Sequence, residues 1–174
     1  MEGYSVSLFA DEIKKIKFFG LDIVIGRYIH DNDGCTRNIM KVKFPDCEEM
    51  LDVNHQSKNV EKHVSKIIKG FGAQSKRAFM KSVKISKNAD ELRKILAAYP
   101  FHMRDDHSKC TDNCNKVTSK KLVIEESSQA FNDLVKYFSD LSQKAEYFKN
   151  GISSQKNESF NNSMTVLLPK RKNF

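Results

Sequence analysis

The stretch Leu21-Asp-Ile-Val-Ile-Gly-Arg-Tyr-Ile-His30, followed by Asp31-Asn-Asp-Gly34, decides the fold class of this chain. β-Branched residues dominate the first part, and the acidic Asn- and Gly-bearing segment behind it is turn chemistry, so the whole reads as a strand ending in an acidic turn. Upstream, Ser7–Phe19 (SLFADEIKKIKFF) sets Leu8, Phe9, Ile13, Ile16 and Phe19 close to helical periodicity. Gly20 then stands where a C′ glycine ends a helix. Helix, glycine, strand and acids at the strand's carboxyl end form an α/β pattern, and sites in such sheets gather at those ends.

Downstream, the spacing predicts a short helix over Thr36–Met40, before Pro45, and an extended segment over Cys47–Val53. Asn54–Gly70 is helical, with Val60, Val64, Ile67 and Ile68 on one face and basic residues on the other. Gln74–Val83 and Ala89–Tyr99 read as two further helices, the second stopped by Pro100. Glu125–Tyr147 carries a stripe of Phe131, Leu134, Val135, Phe138 and Leu141, the pattern of a helix facing a core. No internal repeat or long low-complexity segment interrupts this order, and the tail Pro169-Lys-Arg-Lys172 is basic.

A length of 174 residues with 39% hydrophobic residues suits about one domain, here 1–174. The 30 Lys and Arg against 22 Asp and Glu leave a net charge of +8, which suits a polyanionic partner such as nucleic acid and a merely solvated basic surface equally. No stretch has the length of a membrane span, and Met-Glu-Gly-Tyr-Ser lacks signal-peptide form, so no membrane partner and a reducing compartment are expected. In such a compartment closely spaced cysteines are metal ligands rather than a disulfide.

Phe101-His-Met-Arg-Asp-Asp-His-Ser-Lys-Cys-Thr-Asp-Asn-Cys114 holds the clearest chemistry. His102, His107, Cys110 and Cys114 follow an H-x4-H-x2-C-x3-C pattern on a polar loop, and structural zinc takes four such ligands in a tetrahedron. Asp31 and Asp33 flank Asn32 after the strand; acids there can hold Mg²⁺, although on these residues alone Asp-Asn-Asp-Gly reads first as an ordinary turn. Asp52-Val-Asn-His55, with Lys58 after it, suits a helix cap, a phosphate contact or a metal site, and spacing does not choose among them. Glu158 lies among Ser and Asn residues suited to capping a helix. The sequence has neither a Gly-rich phosphate loop nor a G-x-S-x-G elbow, which leaves Ser or Cys hydrolysis without support.

Taken in order, IHDNDGCT, LDVNHQSKNV, FHMRDDHSKCTDNC and SSQKNESFNN resemble the catalytic region of Mutator-like DNA transposases, over most of the chain from about Phe18 to Met164. The resemblance implies an α/β, helix-rich, partial ribonuclease H-like fold, with a His/Cys zinc-binding insertion at about 100–120. It further implies acids that bind Mg²⁺ or Mn²⁺ for cleavage and strand transfer of DNA in the nucleus. The family's second Asp falls on Asp31, with Asp33 as a neighbouring alternative, and its closing Glu falls on Glu158. Its zinc ligands match His102, His107, Cys110 and Cys114. The basic helix bearing His55, Lys58 and Lys62 becomes the candidate DNA contact.

Two departures accompany the resemblance. The family's first Asp and early strands precede the first helix, whereas this chain starts at or just before that helix. Two-metal catalysis holds its ions about 3.5–4 Å apart between bridging carboxylates. The expectation is therefore a truncated domain that is inactive alone, whose open sheet edge invites self-association into a homo-oligomer. In addition, Asp52-Val-Asn-His55 stands where many relatives have Cys-x-x-His. The competing expectation is a non-catalytic, zinc-stabilised DNA-binding or interaction module.

Overall fold

The computed structural model describes residues 2–22, 24–112, 114, 121–149 and 151. Among them the chain is α/β and helix-rich, and it falls into two compact units, one ending at Asn54 and one spanning His55–Gly151.

The first unit opens with α1 (Glu2–Lys15), which stops before the point that the apolar spacing suggests. A hairpin follows, β1 (Lys17–Phe18) antiparallel to β2 (Leu21–Asp22), with Lys17 opposite Asp22 and Phe18 opposite Leu21. Gly20 is thus not a helix cap: Phe19 and Gly20 have φ of 51° and 81°, the pair of positive values that a type I′ turn demands. The expected continuous strand over Leu21–His30 also divides, because Leu21 and Asp22 pair back onto β1 while β3 begins only at Arg27.

β3 (Arg27–His30), α2 (Gly34–Lys43) and β4 (Glu48–Leu51) make a parallel βαβ unit. Parallel strands cannot be joined by a tight turn, and α2 supplies the crossover. Arg27 pairs with Glu48, Tyr28 with Glu49, Ile29 with Met50 and His30 with Leu51. The Asp33 carboxylate caps α2 by accepting from the backbone N–H groups of Cys35 (3.1 Å) and Thr36 (2.7 Å). α1 and α2 are tied by the Lys43–Asp11 ion pair at 2.6 Å.

The second unit is helical. α3 (Val53–Ile67) buries Ser57, Val60 and Val64, the helical face that the spacing predicts. α4 (Gly72–Ile85) starts hard against α3: a Cβ at Gly72 would lie 2.0 Å from Ser65 Oγ and 2.5 Å from the Glu61 carbonyl oxygen. α5 (Ala89–Met103) is capped by Asn88, whose side chain accepts from Glu91 N–H at 2.9 Å. α6 (Gln129–Gln143) is capped by Ser128 and continues into a short 3-10 turn over Ala145–Phe148.

Pro100 does not stop α5, contrary to expectation; the helix runs through it to Met103. Proline forfeits a backbone hydrogen bond and crowds the turn before it. Leu96, Tyr99, Pro100 and Met103 are all buried, so packing outweighs that cost. α5 and α6 form the main helix pair, with Tyr99 against Phe138 at 4.9 Å and Phe101 edge-on to Phe131 at 5.5 Å between ring centroids. Burying each such side chain is worth about 1.5–3 kcal/mol.

Candidate metal centre

The continuation of α5 past Pro100 brings His102 to the helix's last turn, so one of the four predicted ligands sits on a helix rather than on a loop. The chain then turns sharply. Asp105, with φ of 70°, donates its N–H to the His102 carbonyl oxygen (3.0 Å), and the Asp106 N–H reaches Phe101 (3.1 Å). The Asp106 side chain accepts from Ser108 N–H at 2.9 Å, closing an Asx turn, and further turns link Cys110 to His107 (3.1 Å) and Cys114 to Thr111 (2.9 Å). These local bonds fold the segment back so that its thiols return to His102.

His102, His107, Cys110 and Cys114 form a cluster able to hold a metal ion such as zinc, their ligand atoms all within 4.8 Å of one another. The separations carry more than proximity. Zinc with Zn–N of about 2.0–2.1 Å and Zn–S of about 2.3 Å gives tetrahedral N···N edges of about 3.3–3.4 Å and N···S edges of about 3.5–3.6 Å. Here the two Nδ1 atoms are 3.2 Å apart. Cys110 Sγ lies 3.6 and 3.7 Å from the His102 and His107 nitrogens, and Cys114 Sγ lies 3.5 and 3.6 Å from them. Four nearly equal N···S edges describe a common centre; a chain of hydrogen bonds would leave some of them long.

The surroundings suit a cation. Burial holds the His102 imidazole below its ordinary value, with His107 adding to the effect, which favours the neutral ring that a metal needs. Burial, and after it hydrogen bonding with Cys114, pushes the Cys110 thiol up to about 11. A dication among these sulfurs reverses that balance, because metal binding deprotonates a coordinating thiol. His107 Nε2 lies 3.2 Å from Asp105 Oδ1, the carboxylate–histidine relay that fixes a ligand's ring and leaves Nδ1 for the metal. The hydrogen bond from His107, then that from Lys121, lowers the Asp105 carboxyl from its ordinary value. Sequence reasoning overlooked Asp105, although an acid two residues before a ligating histidine is a legible signal.

A recess of about 120 Å³ opens beside the cluster, floored by Ile95, Ala98 and Tyr99 of α5 and bordered by Ala78, Lys81 and Ser82 of α4. Cys110 and Cys114 are each half-buried on its wall.

The other predicted residues are dispersed. Asp31 is exposed immediately beyond β3, at the strand end where an α/β site is expected. Asp33 is the α2 cap, and the Thr36 side-chain hydrogen bond, with backbone bonds behind it, holds its carboxyl below the ordinary value. Asp52 is buried just beyond β4, at the same end of the parallel pair, with its N–H bonded to the His30 carbonyl oxygen at 3.0 Å. Glu158 lies outside the described residues. On α3, Lys58 and Lys62 are exposed and His55 is half-buried.

One further polar group lies in β3–β4. His30 Nε2 lies 2.9 Å from Glu49 Oε1, which also accepts from Arg37 Nε at 2.5 Å. Burial raises the Glu49 carboxyl, but the bonds from Arg37 and His30 outweigh it and leave the group below its ordinary value.

No family model, curated protein or solved structure matches this chain.

Proposed function

We propose that this chain is a zinc-braced, ribonuclease H-like domain of the Mutator-like transposase type, which binds DNA. The observation that carries this reading is the β3–α2–β4 unit, whose parallel pairing ends in Asp31 and Asp52 at the carboxyl side. Ligands in α/β folds bind at that side, and nuclease-like acids belong there. The zinc identity is supported by two nitrogens and two sulfurs at tetrahedral spacing, a soft donor set that Mg²⁺ and Mn²⁺ do not favour. In this reading zinc is structural. It pins the segment after α5 to that helix and leaves no position for substrate. Mg²⁺ or Mn²⁺ would be the catalytic ion, held in part by Asp31 and Glu158, with Asp33 already engaged as a helix cap.

A test combines zinc quantitation, duplex-DNA binding and strand-cleavage assays in Mg²⁺ and in Mn²⁺, using the full chain. Bound zinc and salt-sensitive DNA binding are expected. Metal-dependent cleavage abolished by Asp31→Ala would support the transposase type, and no DNA binding at low salt would sink the DNA reading.

A second reading, a non-catalytic zinc-stabilised DNA-binding or interaction module, is favoured by the exposure of Lys58 and Lys62 on α3. DNA binding unchanged by Asp31→Ala and Glu158→Ala selects it.

A further inference from the structure

The cations of this protein are not evenly neutralised. In the first unit Lys15, Lys17, Arg27, Arg37 and Lys43 each have an acidic partner within 4.0 Å. In the second, Lys76 pairs with Glu61, Arg93 with Asp90, Arg104 with Glu126 and Lys149 with Glu146. Like α3 with its exposed Lys58, Lys62 and Lys66, α4 carries cations outside these pairs. Its sequence, GAQSKRAFMKSVKI, contains no acidic residue. Arg77, Lys81 and Lys84 are all exposed and form no ion pair among the described residues.

Their spacing puts them in one row. Residues at i, i+4 and i+7 share a helix face, and at 1.5 Å per residue the row extends about 10.5 Å. Ser75, Phe79 and Ser82 are buried on the opposite face, so α4 is anchored by one side and offers its charges on the other. The row runs beside α5: Lys81 lines the recess at the metal cluster together with Ala98, Tyr99 and His102. The nearest acids along the chain are already engaged, Asp90 with Arg93 and Glu91 with the Lys87 N–H at 2.8 Å.

Three unneutralised cations on a packed helix repel one another, and an anion with regularly spaced charges relieves that repulsion. From this we infer that Arg77, Lys81 and Lys84 form a second DNA-backbone contact, separate from the α3 residues, that grips consecutive phosphates of a duplex. The inference rests on the DNA reading above and adds a surface to it. Each phosphate neutralised releases condensed counterions, so every such contact adds about 0.9 to the magnitude of the slope of log K against log salt.

The test measures binding of the zinc-loaded full chain to a fluorescein-labelled duplex of mixed sequence across a salt series. Arg77→Ala/Lys81→Ala/Lys84→Ala should flatten the slope by about 2–3 and weaken low-salt binding more than tenfold. The charge-keeping set Arg77→Lys/Lys81→Arg/Lys84→Arg should retain both. Unchanged zinc content and helical circular dichroism would establish that the alanine variant is folded. If the wild type binds and the alanine variant binds with the same slope, the α4 contact is wrong while DNA binding stands. If the wild type does not bind duplex at low salt, the DNA reading itself fails. Tighter binding of the row to polyglutamate than to duplex would overturn its assignment to DNA.

Discussion

The two units solve the problem of a small core in opposite ways. In the helical unit Leu92, Leu96, Phe79, Leu134, Phe138 and Phe148 have at most 1% of their surface exposed, and the His/Cys cluster fixes the end of α5. In the first unit large apolar side chains face outward: Phe9 is 68% exposed, Phe18 68%, Phe19 90% and Val24 87%. Its strands are two or four residues long. Helices generate their own hydrogen bonds and need only one buried stripe, so local periodicity suffices for the second unit. Short strands need neighbours, and a two-stranded sheet is marginal by itself. The second unit should therefore respond to metal and core changes, and the first to changes in a few polar contacts.

Metal removal should break that comparison most severely. Structural zinc binding is worth about 10–16 kcal/mol in small zinc-dependent folds. Chelation, or Cys110→Ser/Cys114→Ser, should lower the melting temperature and release amide protection across α5 and α6. Amide exchange that stays unchanged in both helices would remove the metal's role as a brace. Next in size, Phe138→Ala should cost about 3–5 kcal/mol in denaturant unfolding. Phe18→Ala, in the exposed hairpin, should stay within about 0.5 kcal/mol. Equal costs at the two sites would erase the contrast between the units.

Asp105→Ala sharpens the picture of the metal cluster. Loss of a carboxylate behind a ligating histidine weakens metal binding about 10–100-fold. A competitive zinc titration should detect this, with Asp105→Asn in between; unchanged affinity would mean that Asp105 does not orient His107. The smallest effect belongs to Glu49. Its carboxyl lies below the ordinary value of 4.5 in the folded chain, so the stability it gives is present above 4.5 and fades as pH falls through the lowered value. Amide exchange in β3–β4 should accelerate over that range in the wild type and not in Glu49→Gln. Identical pH profiles would exclude this carboxylate as the source.

Much of the helical unit was legible in the residues. The stripe Phe131, Leu134, Phe138 and Leu141 named the buried face of α6, and Val60 with Val64 named that of α3. The four metal ligands stood out because cysteine and histidine were close in sequence as well as in space. Legibility failed where one local signal has two physical uses. A glycine with φ above zero ends helices and also closes I′ hairpins, so Gly20 did not reveal which. A proline stops a helix unless the next turn is buried, and burial at Met103 depends on residues distant in sequence. The Asp-Asn-Asp triplet likewise hid a division of labour: Asp33 caps α2 while Asp31 stands at the end of β3.

Gly72 gives the molecule a gauge. With Ser65 Oγ 2.0 Å and the Glu61 carbonyl oxygen 2.5 Å from where a Cβ would stand, the missing side chain sets how closely α4 can start beside α3. Lys58, Lys62 and Lys66 lie on one of these helices and Arg77, Lys81 and Lys84 on the other. A single methyl at Gly72 would force the two helices apart at this point without touching a charge. The spacing of the two helices where α4 begins is thus set by a residue that has no side chain.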